Sequence, residues 1–236
     1  MITKSISELL KGNSYPGRGI IAGMSEDGKK AVTAYFIMGR SSNSRNRVFR
    51  KDGKGIIIYP FDETKVEDPS LIIYSPVRVI DECTIVTNGD QTDTIYYYIQ
   101  NGGTFEDALD TRCFEPDAPN YTPRISALLD LPDDGFSYKM SILKCTDGKG
   151  EKCGRYTFSY EPEAGVGHFI HTYMHDGDPI PSFEGEPERV IIGSDIDAFT
   201  EEIWDSLDND NRVSLYVRYI CLNDHSVKEK IINSNE

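Results

Sequence analysis

The densest run of polar side chains in this sequence is Gly39-Arg40-Ser41-Ser42-Asn43-Ser44-Arg45-Asn46-Arg47, with three arginines and five hydroxyl or amide side chains in nine positions. Guanidinium groups meet phosphate oxygens in a forked geometry, and Ser, Asn and free backbone N–H groups fill the remaining acceptor positions, so such a loop can wrap an anion. A solvated turn has the same composition. Tyr15-Pro16-Gly17-Arg18-Gly19 sets another arginine between two glycines, where missing side chains allow a ligand close to the backbone. Its spacing is not that of a dinucleotide fingerprint. Thr87-Asn88-Gly89-Asp90-Gln91-Thr92-Asp93 supplies backbone donors and carboxylates after an apolar run, although Asn-Gly is also an ordinary tight-turn pair. Asn120-Tyr121-Thr122-Pro123-Arg124 brings a further arginine to the start of an apolar stretch, where an unpaired charge is expensive and calls for an anionic partner.

The remaining reactive residue types form no known constellation. His168 and His171 lie in a strand-like segment that sends them to opposite faces, which speaks against a metal site. Ser41 and Cys83 lack an elbow motif or a neighbouring base. The five cysteines, at 83, 113, 145, 153 and 221, contain no CxxC pair and fit reduced thiols in a cytoplasm. No window approaches the roughly 20 apolar residues of a membrane span, and the start, Met1-Ile2-Thr3-Lys4-Ser5, lacks a signal-peptide core. With 25 Lys and Arg against 39 Asp and Glu, the net charge of −14 repels polynucleotides and anionic membranes. A small phosphorylated ligand is compatible with that charge if a few arginines share one cleft.

These residues need a scaffold, and the sequence predicts a β-rich one. Ser5 to Glu8 reads as a capping box for a short helix that Gly12 ends, so residues 1–14 form a helical extension and 15–236 a single domain that folds alone or as a homo-oligomer. Apolar runs at 19–22 and 31–39 flank a Ser25-to-Gly28 turn and predict a hairpin. Further strands are expected at 55–59, 71–74, 83–86 and 125–131, with the stretch 45–52 read as a long loop. Two short helices follow Thr92 and Thr104. Segments 136–144, 155–160 and 167–174 are expected to make a second sheet. Ile196, Phe199, Ile203 and Leu207 mark one face of a helix capped by Ser194 or Asp195, and 212–222 alternates as a last strand. Two groups of strands with outer helices predict a layered α+β fold.

In their order, Tyr15-Pro16-Gly17-Arg18, Ala34-Tyr35 with Arg40-Ser41 and Asn46-Arg47, Thr87-Asn88-Gly89 through Thr92-Asp93, Asp107-Ala108-Leu109 and Thr122-Pro123-Arg124 resemble the archaeal-type IMP cyclohydrolase family. The resemblance is clear over about residues 15–131 and weaker beyond. It implies a four-layer αββα sandwich of two stacked, mainly antiparallel sheets, like that of N-terminal-nucleophile hydrolases but without self-cleavage. It also implies a cofactor-free cytoplasmic enzyme of purine biosynthesis, which closes the ring of 5-formamidoimidazole-4-carboxamide ribotide by dehydration to IMP. The ribotide phosphate is then expected among Arg18, Arg40, Ser41, Asn46, Arg47 and Thr122. Tyr35, Tyr74, Asn88, Asp90, Asp93 and Arg124 become the catalytic candidates, with Glu115 and Asp117 as alternatives for the proton acceptor. A non-catalytic nucleotide-binding module and an amide or formyl hydrolase on the same fold are the competing readings.

Overall fold

The computed structural model describes residues 2–65, 73–132 and 135–235. Strands β1 (Arg18–Met24) and β2 (Lys30–Met38) form the expected hairpin, and Gly28 takes the left-handed conformation that its tight turn requires. They join β10 (Val166–His171), β11 (Glu188–Ile191), β12 (Arg212–Cys221) and β13 (Val227–Asn233) in a sheet of order β11-β10-β1-β2-β12-β13. The second sheet runs β3-β4-β5-β6-β7-β8-β9, from β3 (Val48–Asp52), β4 (Gly55–Tyr59), β5 (Val77–Ile80), β6 (Cys83–Thr87), β7 (Arg124–Asp130), β8 (Ser137–Cys145) and β9 (Cys153–Tyr160). Every pair of strands in the two sheets is antiparallel.

Alternation along the central strands builds the layers. On β12, Val213, Tyr216 and Ile220 turn inward to a core shared with Tyr35, Ile125, Met140 and Ile170. Leu215, Val217 and Tyr219 turn outward and are covered by α1 (Ile6–Leu10) and α5 (Ile196–Ser206). On the far side, Ile85 and Leu143 pack under α3 (Gln91–Gln100) and α4 (Phe105–Asp110). Helices, sheet, sheet and helices thus form the four-layer sandwich. The capping boxes at Ser5 with Glu8 and at Thr104 with Asp107 are both formed, and Asp195 caps α5.

Several local expectations are corrected. Residues 45–52 are not a loop: α2 (Ser42–Arg45), one turn capped by Ser41, runs almost directly into β3. Of the strand expected at 71–74, Leu71 and Ile72 lie outside the described residues, while Ile73 and Tyr74 are not strand, and β5 begins after Pro76. The second sheet is assembled differently from the expectation. β8 and β9 extend the sheet of β3 to β7, whereas β10 crosses over to pair with β1, Ile20 facing Ile170. His168 turns inward to hydrogen-bond Tyr138 and stack on Tyr160, and His171 turns outward against Phe169, as the strand reading requires.

Candidate active site

The strand register brings several of the polar segments of the sequence to one end of the sandwich. β1 starts there with Arg18, β2 ends there, β6 ends at Thr87 and β7 starts with Arg124. Gly17 precedes Arg18 in the left-handed region, and a side chain on it would collide with Thr172 and Tyr173. A cavity of about 580 Å³ opens at this end, within the range of small-molecule sites. Arg18, Arg47, Tyr74, Asp90, Glu115 and Arg124 are among the residues that line it.

Three arginines, Arg18, Arg47 and Arg124, share the lining. Burial works against the charge of Arg18, but its anionic surroundings, the Glu115 carboxylate foremost, outweigh that cost and hold its pKa above the usual value. At Arg47 the balance goes the other way: burial, then the neighbouring Arg18, outweigh the opposing pull of Glu115 and push its pKa down. Arg124 Nη1 donates to Gln91 Oε1 and to Asp90 Oδ1, each at 2.7 Å, and lies against Gly89, where a β-carbon would displace it. The Nε atoms of all three arginines are buried without a hydrogen-bond partner, as is Asn43 Oδ1 on the same wall. Buried donors left unmet carry a desolvation cost that a bound anion relieves.

Acids and phenols complete the lining. Burial pushes the Glu115 carboxyl up from its ordinary pKa against the opposing pull of Arg18 and Arg124. Its backbone N–H donates to Thr122 O at 2.9 Å. Burial also opposes ionisation of Asp90, but hydrogen bonding to Arg112 and the charge of Arg124 prevail and lower its pKa. The hydroxyls of Tyr35 and Tyr74 are 3.1 Å apart, and burial raises both pKa values, so both stay protonated donors. The result is a chamber lined by three arginines, the carboxyl groups of Asp90, Glu115 and Asp117 and the Tyr74 phenol, suited to holding a small phosphorylated molecule while protons move.

The other residues singled out in the sequence lie outside the chamber or are committed to the scaffold. Ser41 is the cap of α2, accepting from Ser44 N at 3.1 Å, which turns Arg40 outward to pair with Asp176 and lie over Tyr15. Asn46 spends its amide on both backbone groups of Asp62. Asp93 pairs with Arg78. Thr122 sits between Asp117 and Tyr173. Asn88 reaches the cavity wall, but its amide holds Pro123 O and Ile125 N, so it positions Arg124. Asn43 stood in the polar run but was not singled out within it, and the Ser41-x-x-Ser44 capping pattern of α2 is the signal that marks it.

The comparisons with known proteins agree with one another. Residues 15–225 match the family described as IMP cyclohydrolase-like protein. A protein named IMP cyclohydrolase from Methanopyrus kandleri is 28% identical over 194 residues, which cover 77% of this chain and 95% of that relative. One of the same name from Methanocaldococcus jannaschii is 29% identical over 149 residues, covering 60% of this chain and 73% of the relative. A third, from Methanococcus maripaludis, is 33% identical over 164 residues, covering 67% and 74%.

Proposed function

The chain belongs to the IMP cyclohydrolase-like family, and from that premise we propose that it closes the purine ring, converting 5-formamidoimidazole-4-carboxamide ribotide and releasing water to give IMP. The observation that carries this reading beyond kinship is the trio of arginine Nε donors left unmet around a cavity of ligand size. Arg18 and Arg47, with Asn43 beside them, hold the ribotide phosphate. Residues 15–236 act as one domain, with 1–14 an extension docked on α5 through Ile6 and Leu10. The enzyme works in the cytoplasm; no helix among the described residues is long and apolar enough to cross a membrane.

Ring closure joins the carboxamide nitrogen to the formyl carbon. The nitrogen is a poor nucleophile, so holding it against its target supplies much of the rate. Glu115, its pKa moved towards neutrality, takes a proton from the attacking nitrogen, and Tyr74, oriented by Tyr35, hydrogen-bonds the formyl oxygen as it gains charge. Tyr74 passes its proton to that oxygen to give the cyclic carbinolamine. Glu115 then protonates the hydroxyl, which leaves as water, and the ring-nitrogen proton released as the C=N bond forms returns to Tyr74. Arg124, held by Asp90 and Gln91, faces the same space.

Calorimetry with product and its nucleoside tests the phosphate assignment. IMP should bind at least tenfold more tightly than inosine, since a charge-assisted hydrogen bond contributes about 1.5–3 kcal/mol. Arg40→Ala should leave that ratio within about twofold, because Arg40 is exposed and paired with Asp176. Equal affinities for IMP and inosine would remove the phosphate from this cavity.

A further inference from the structure

Three of the five cysteines converge on the outer face of the larger sheet, behind the wall of the active cavity. Cys145 on β8 and Cys153 on β9 are directly opposed in the antiparallel register. Tyr138, Met140 and Ile142 of β8 point into the central core, so Leu143 and Cys145 point outward, and Cys153 packs with Leu143 against the α3 and α4 layer. The chain leaving α4 carries the exposed Cys113 to this spot, fastened by Arg155 Nη2 donating to Arg112 O at 2.7 Å. The Cys153 thiol lies beside that of Cys113 and the Phe114 backbone N–H. The same short segment builds the cavity: Arg112 holds Asp90 at 2.6 Å, and Glu115, Pro116 and Asp117 are part of the lining.

We propose that Cys113 and Cys153 are a redox modification site, forming a reversible disulfide that displaces the Arg112–Asp117 wall and turns the enzyme down, with low-molecular-weight disulfides as the oxidant. The expected loss of turnover rests on the cyclohydrolase reading above. Cys113, being exposed, attacks the reagent disulfide as a thiolate, forms a mixed disulfide and expels one reagent thiolate. Cys153, deprotonated, then attacks the Cys113 sulfur and expels nothing but the second reagent thiolate. Two electrons pass from the protein pair to the reagent, and the two protons lost by the cysteines end on the two reagent thiols. Closing the pair to the S–S bond length of about 2.05 Å draws the Cys113 segment towards β9. Glu115, two residues along, moves with Cys113, and a displacement of about 1 Å at a catalytic group reduces rate by as much as about a hundredfold. Disulfides in reducing compartments are typically of this transient kind. Cys145 is the other neighbour of Cys153, but its thiol is engaged with Asp147 Oδ1 at 3.1 Å.

The test equilibrates the full chain with glutathione disulfide, maps disulfide-linked peptides by mass spectrometry, and measures both turnover and IMP affinity before and after dithiothreitol. The expected result is a Cys113–Cys153 linkage, a loss of turnover of tenfold or more, and recovery on reduction. Cys113→Ser should keep the reduced enzyme's activity and lose the sensitivity, whereas Cys145→Ser should keep both. If the reduced chain turns nothing over, that failure belongs to the cyclohydrolase reading, and a tenfold change in IMP affinity on oxidation still decides this one. A linkage that involves Cys145 in place of Cys113, the absence of any linkage, or a Cys113–Cys153 bond that leaves turnover and IMP affinity unchanged would overturn the proposal.

Discussion

Replacing Glu115 with glutamine is expected to lower kcat by roughly 10²- to 10⁴-fold, the usual worth of a positioned acid-base group, with KM changed by no more than about threefold. Glutamine keeps the shape and leaves the backbone bond to Thr122 in place, but it accepts no proton from the carboxamide. The pH profile carries the signature. Burial raises the Glu115 pKa, so the active carboxylate is lost as pH falls, and kcat/KM should rise with pH through a limb displaced above the ordinary carboxyl range. That limb should vanish in the variant. Stability moves the opposite way: because the folded pKa is the raised one, the contribution of this carboxyl is fully present below its unfolded pKa and is lost as pH rises through the folded value. Glu115→Gln should therefore gain in melting temperature relative to the parent chain towards neutral pH. A variant with kcat within a few-fold of the parent would assign proton transfer elsewhere.

Arg47→Met is expected to stabilise the empty protein while lowering kcat/KM by about ten- to a hundredfold. Arg47 is 8% exposed, its pKa is depressed by burial and by Arg18, and its Nε has no partner. Such a charge is costly until an anion arrives, and an apolar side chain of similar length removes the cost. On the proposed phosphate assignment, the enzyme keeps a destabilising cation for its substrate. Thermal denaturation without ligand and the IMP-to-inosine affinity ratio measure the two effects. A fall in melting temperature with an unchanged ratio would make Arg47 a structural residue.

What could be read in the sequence was local. The β1–β2 hairpin, the capped helices and the long alternation of β12 each depend on neighbours within a few residues, and all three are present. Sheet membership was not legible, because the pairing of β10 with β1 joins residues about 150 apart and leaves no trace in either strand alone. β13 alternates weakly, mixing Lys228 and Lys230 with Ile231 and Ile232, as edge strands do. At the candidate site, residue type told which segments converge on the cavity but not which side chains are free to face it. Arg18, Arg47, Tyr74, Asp90 and Arg124 meet at the cavity, while Asn46, Asp93 and Thr122 are consumed by Asp62, Arg78 and Asp117. That division depends on hydrogen-bond partners distant in sequence.

The central claim is that this chamber performs a dehydration inside one bound molecule. Incubating the purified chain with 5-formamidoimidazole-4-carboxamide ribotide labelled with ¹⁸O on the formyl group, and following the products by chromatography and mass spectrometry, tests it most directly. The predicted result is IMP free of the label, with the ¹⁸O recovered in water and the reaction suppressed by Glu115→Gln. Unchanged substrate after prolonged incubation at high enzyme concentration, or formate carrying the label beside the deformylated ribotide, would contradict it.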